Sequence, residues 1–112
     1  MKGQALKGHL DLLLLAIIAD SPKHGYAVIE ELRTRSEESF DLPEGTVYPA
    51  LHRLEKAGFL TSEWSEVQGR RRRTYLLTKQ GHGALSEQRQ SWEEFSSAMR
   101  RVLKGAPWPT TP

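Results

Sequence analysis

The chain has 112 residues, of which 38% are hydrophobic, with 16 Lys+Arg against 14 Asp+Glu and a formal net charge of +2. That is one domain's worth of chain, too apolar for a fully disordered polymer and too short for a large core. It contains no cysteine, which excludes disulfides, thiol nucleophiles and cysteine-held metal centres and suits a reducing, cytoplasmic location.

Residues 1–8 read as a flexible lead-in. The stretch 10–19 is almost continuously apolar and is predicted to be a helix buried on most sides, ended by Asp20-Ser21-Pro22. Its apolar centre, 12–19, is far shorter than the ~20 residues that cross a bilayer, and no signal-peptide layout accompanies it, so no membrane partner is expected. A second helix opens at His24-Gly25-Tyr26, where His24 is expected to pack or hydrogen-bond at the helix start. Tyr26, Ile29 and Leu32 share its predicted inner face, and residues 36–40 close it.

A third helix runs from Pro43 or Glu44 to Ala57, with Val47, Leu51 and Leu54 on one face and Gly58 as the stop. Gly45, Pro49, His52, Arg53 and Lys56 form the opposite face, flanked by Thr46 and Tyr48. Pro49 cannot donate to the Gly45 carbonyl, so a local distortion is expected. A β-hairpin follows. Leu60, Ser62 and Trp64 lie on one side of its first strand, Gln68-Gly69 makes the turn, and residues 74–77 form the second strand. Arg70, Arg71, Arg72 and Arg73 give this hairpin a basic tip. Strand alternation keeps all four from pointing one way, so Arg72 or Arg73 is expected to pair with Glu63 or Glu66. Trp64 reads as an anchor for the hairpin.

Thr78 caps a fourth helix that runs to about Lys104. Leu85, Trp92, Phe95, Met99 and Val102 fall on a heptad-like seam interrupted by Gln88. Residues 105–112 read as a tail. The four histidines, His9, His24, His52 and His82, are scattered without metal-ligand spacing, and no nucleophile stands beside a base. Neither an enzyme nor a metal or other cofactor is therefore expected.

The predicted fold is mainly α with a small β-hairpin: a winged helix-turn-helix over residues 1–78, a dimerisation helix over 79–104 and a tail over 105–112. A helix fits the major groove and a basic hairpin reaches flanking backbone or the minor groove. On that basis Thr46, Tyr48, His52, Arg53, Lys56, Arg70 and Arg71 are candidate DNA contacts, with Glu44 and Glu55 diluting the helix face. Two other readings keep part of this fold without DNA: a protein-interaction module, or a small-molecule carrier built around Trp92.

Several motifs together resemble the PadR-type transcriptional regulators from Leu6 to about Leu103. They are Leu6-Lys7-Gly8, His24-Gly25-Tyr26, and Gly45-Thr46-Val47-Tyr48-Pro49-Ala50-Leu51 running on to Arg53-Leu54-Glu55-Lys56-Ala57-Gly58. Gly69, Arg71-Arg72, Tyr75, Leu77-Thr78 and Gly81 complete the set. The resemblance implies a cytoplasmic homodimer, paired through its C-terminal helix, that binds inverted-repeat operators and usually represses. Some members release DNA when a phenolic acid or planar aromatic compound binds. Trp92 falls where multidrug-binding members place an interface tryptophan, so two copies are able to sandwich a flat ligand. The plainer alternative, which we favour on the residues, is that Trp92, Phe95 and Met99 form dimer core. Pro43 departs from the family pattern, which favours Ser, Thr or Asn at the start of helix three.

Overall fold

The apolar stretch near the N-terminus forms the central helix, α1 (Leu10–Asp20), with Leu14, Leu15, Ile17 and Ile18 buried. The structure is a computed structural model and describes Leu6 and residues 8–109. Most of the predicted lead-in (1–5 and Lys7) and the end of the predicted tail (110–112) lie outside the described residues. After α1 come β1 (Lys23–His24), α2 (Gly25–Arg35), α3 (Glu44–Lys56), β2 (Leu60–Val67), β3 (Arg70–Leu77) and α4 (Lys79–Leu103). No helix among the described residues is long and apolar enough to cross a membrane.

α2 turns Gly25, Val28, Ile29 and Leu32 inward. Tyr26 shares the i, i+3 spacing of this stripe but follows Gly25 by about 100° of helical rotation, which leaves it 53% exposed. Its predicted place on the core face is therefore corrected. α3 buries Val47, Ala50, Leu51 and Leu54 against α1 and α2. Full burial of an aliphatic side chain contributes about 1.5–3 kcal/mol, so this stripe accounts for much of what holds the helix in place.

The helix continues unbroken through Pro49. Pro43 sits at its N-cap without a side-chain bond, and its carbonyl accepts from both Thr46 and Val47 amides. The C-terminus closes as a Schellman motif. Gly58 adopts φ +90°, its amide donates to the Glu55 carbonyl, and the Phe59 amide donates to Leu54.

The sheet has three strands in the order β1-β3-β2, not two. The unpredicted edge strand pairs Lys23 with Tyr75 and His24 with Thr74. The second hairpin strand starts at Arg70, opposite Val67, so the four arginines are strand residues and the tip is Gln68-Gly69. Both tip residues have positive φ (52° and 77°), the pattern of a type I′ turn that matches strand twist. Period two then places Arg71, Arg73, Tyr75 and Leu77 on one face and Arg70, Arg72 and Thr74 on the other.

Thr78 joins the head to α4. Its hydroxyl accepts from the Gly81 amide at 3.0 Å and donates to the Gly58 carbonyl at 2.6 Å. Leu85 then enters the core, while Trp92, Phe95, Met99 and Val102 are exposed further along.

Candidate nucleic-acid interface

α3 holds Thr46, His52, Arg53 and Lys56 on its exposed face. Arg53 is not free: its Nη2 lies 3.1 Å from Asp11 Oδ1 at the start of α1. Tyr48 is half-buried. Its ring packs on Gly25, where an added Cβ would come within 2.9 Å of Cζ and closer still to Cε1. Only glycine admits the ring there. Burial, with Glu44 nearby, pushes the Tyr48 phenol up from its ordinary value, so the hydroxyl stays protonated and can donate.

The wing is fastened to this helix by an unexpected group. Arg73 shares the strand face of Tyr75, which looks toward α3. Its Nε donates to Ser62 Oγ at 2.8 Å and its Nη2 lies 3.7 Å from Glu55 Oε1. Ser62 Oγ in turn donates to Glu55 Oε2 at 2.5 Å. Arg72 lies on the other face, beside β1, with Nη1 2.8 Å from His24 Nε2. The expected partners Glu63 and Glu66 are thus replaced by Glu55 and His24: the register sets Ser65 opposite Arg72 and Trp64 opposite Arg73, and neither acid faces them directly. Glu55 dilutes the charge of α3 less than expected, since it is occupied in holding the wing.

Trp64, expected to anchor the hairpin, is 58% exposed and so does not anchor it through the core. It serves as a shelf for cations instead: the Arg71 guanidinium lies 4.7 Å and that of Arg73 5.7 Å from its ring centroid. Arg70 and Arg71 are exposed near the turn. Between α3 and the wing is an open groove of about 620 Å³ lined by His24, Tyr48, His52, Trp64 and all four wing arginines, with Glu44 the one acid in the lining. Such a concave cationic surface, edged by a helix face, can neutralise phosphates while the helix reaches base edges.

His24 is the residue the sequence reading placed least fully. Its Nδ1 caps α2 by accepting from the Ala27 amide at 3.2 Å, as expected of a helix start. Its place in the groove beside Arg72 was not expected. Burial first, and then the Arg72 charge, lowers its pKa, so the ring is neutral at neutral pH.

Trp92, Phe95 and Met99 lie apart from this groove on α4. Trp92 stacks edge-on with His9 (5.4 Å between centroids) and tilted with Phe95 (6.1 Å). A smaller hollow of about 380 Å³ lies between them and the start of α1. Among the described residues no group of His, Asp or Glu is arranged to hold a metal ion.

Residues 14–87 match the transcriptional regulator PadR-like family. The chain is 43% identical over 94 residues to the transcriptional regulator Rv3488 of Mycobacterium tuberculosis, covering 84% of this chain and 82% of that protein. A PadR-like transcriptional regulator from Bacillus cereus superimposes with a TM-score of 0.82 at 30% identity, covering 92% of this chain and 99% of that one. A PadR family regulator from Clostridium difficile gives a TM-score of 0.77 at 33% identity, covering 86% and 99%.

Proposed function

The chain belongs to the PadR-like family of transcriptional regulators, and from that premise we propose that it represses transcription as a homodimer seated on a palindromic operator. Membership makes it a DNA-binding regulator rather than an enzyme. The finer reading is ours. The observation that carries it is the groove between α3 and the wing, cationic but for Glu44. In this reading α3 enters the major groove, with Thr46, Tyr48, His52, Arg53 and Lys56 toward the duplex, while Arg70 and Arg71 grip the flanking backbone.

Pairing through α4 is supported by the row Trp92, Phe95, Met99 and Val102, whose side chains are 43–80% exposed. Two recognition helices then sit about one helical turn of DNA apart. The hollow beside Trp92 and His9 supports a second function for the same seam, binding a flat aromatic or phenolic effector that shifts the angle between the two heads.

Fluorescence anisotropy with a labelled duplex from upstream of the protein's own gene, repeated across salt, tests the DNA reading. Binding should be strong at low salt and weaken steeply as salt rises; absence of binding even at low salt overturns it. Light scattering tests the dimer, and a monomer at micromolar concentration removes the role given to α4.

A further inference from the structure

His24 faces two donors and has one lone pair to offer. The Ala27 amide points at its Nδ1 at 3.2 Å, and Arg72 Nη1 lies 2.8 Å from its Nε2. A guanidinium only donates. A neutral imidazole carries one acceptor nitrogen and an imidazolium none. The Ala27 amide is fixed by the helix it begins, so the Nδ1 lone pair belongs to the cap and Nε2 carries the proton. The Arg72 N–H then meets a second donor across 2.8 Å instead of an acceptor. That arrangement suits one oxyanion bridging the pair.

The surroundings favour the same ligand. Arg72 is close enough to bias the Tyr48 phenol, whose ring rests on Gly25 immediately after His24. Lys23 is turned the other way, its Nζ donating to the Ile17 carbonyl and to Ser21. Glu44 is the acid facing the groove.

We propose that His24 and Arg72 jointly hold one phosphate of the DNA backbone, bracing the wing and the start of α2 against the same strand. The inference rests on the DNA-binding reading and adds to it two contacts, neither of which stood among the sequence-derived candidates.

The test uses the full chain and the labelled duplex above. His24→Asn keeps an acceptor, Oδ1, where Nδ1 caps the helix and removes the second donor. Arg72→Gln removes the guanidinium. Each should weaken binding by roughly tenfold, and the double variant should lose little more than the worse single one, because both act on one phosphate. The slope of log affinity against log salt should fall by about one in Arg72→Gln. Unchanged affinity in His24→Asn, or losses that multiply in the double variant, overturns the shared phosphate while leaving the DNA reading intact. Wild-type protein that ignores the duplex at low salt overturns both. A long-range ¹H–¹⁵N correlation spectrum of the free wild type gives an arm independent of variant folding: the Nε2–H tautomer is expected at His24, and Nδ1–H refutes the proposal.

Discussion

Two glycines two residues apart on α4 should respond to the same substitution with opposite signs. Gly81 is buried where α4 meets the head. A Cβ added there would come within 2.6 Å of Leu77 Cδ1 and closer still to the Phe59 carbonyl oxygen, whereas real Cβ atoms essentially never approach within 3.0 Å. That carbonyl cannot step aside freely, because it accepts the Thr78 amide at 3.1 Å. Gly83 faces open space, with nothing within 4 Å of an added Cβ. Alanine in place of glycine inside a helix stabilises by about 0.5–1 kcal/mol. Overpacking a tight site costs about 1–3 kcal/mol and more where backbone must move. Gly81→Ala should therefore lose about 2 kcal/mol net, a fall in melting temperature of roughly 10 °C for a domain of this size. Gly83→Ala should rise by a few degrees. Thermal unfolding followed by circular dichroism at 222 nm, at one fixed protein concentration, makes the comparison. A Gly81→Ala protein that melts at or above wild type refutes the packing argument, as does a pair of variants that shift together.

Arg70→Ala combined with Arg71→Ala should weaken binding across many DNA sequences and reduce the salt slope by up to about two; an unchanged slope moves the wing off the duplex. Glu55→Ala removes the acceptor that Ser62 and Arg73 share. In so solvated a pair the stability cost should be about 1 kcal/mol or less, but hydrogen exchange should quicken in the wing. Exchange that quickens evenly along the chain would contradict a local fastening. His24 has a lowered pKa in the folded chain, so the unfolded chain binds its proton first. Its contribution is complete above the ordinary value of about 6.5 and is lost as pH falls through the lowered one. Urea midpoints should decline as pH falls through and below about 6.5, less so in His24→Asn; equal declines would show that other groups carry the effect.

The helices were legible because their signals are local. The apolar stretch of α1, the stripe of Val47, Leu51 and Leu54, the Gly58 stop and the Thr78 cap each depend on residues within a few positions of one another. Tyr26 misled because its spacing to Ile29 and Leu32 matches a helical face whose true centre lies on Gly25, Val28, Ile29 and Leu32. β1 left no trace, since two residues carry no period and its existence depends on the free edge of β3. The arginines were placed at the tip because arginine is a poor strand signal. Counting outward from the two-residue turn would have set Arg70 opposite Val67 and corrected this. The partners of Arg72 and Arg73 were beyond reach. His24 is 48 positions from Arg72, and nothing short of the packed fold brings them together.

The Thr78 hydroxyl, bonded both to the Gly58 carbonyl and to the Gly81 amide, ties the end of α3 to the root of α4. α4 has 25 residues, about 37 Å of rigid rod at 1.5 Å per residue. A lever of that length converts a tilt of about 5° at its far end into roughly 3 Å of travel at the head. That is comparable to the rise of one base pair. In the proposed pairing along α4, a change too small to disturb either core is therefore enough to move the two α3 helices, in the proposed DNA-reading role, out of step with the pitch of DNA.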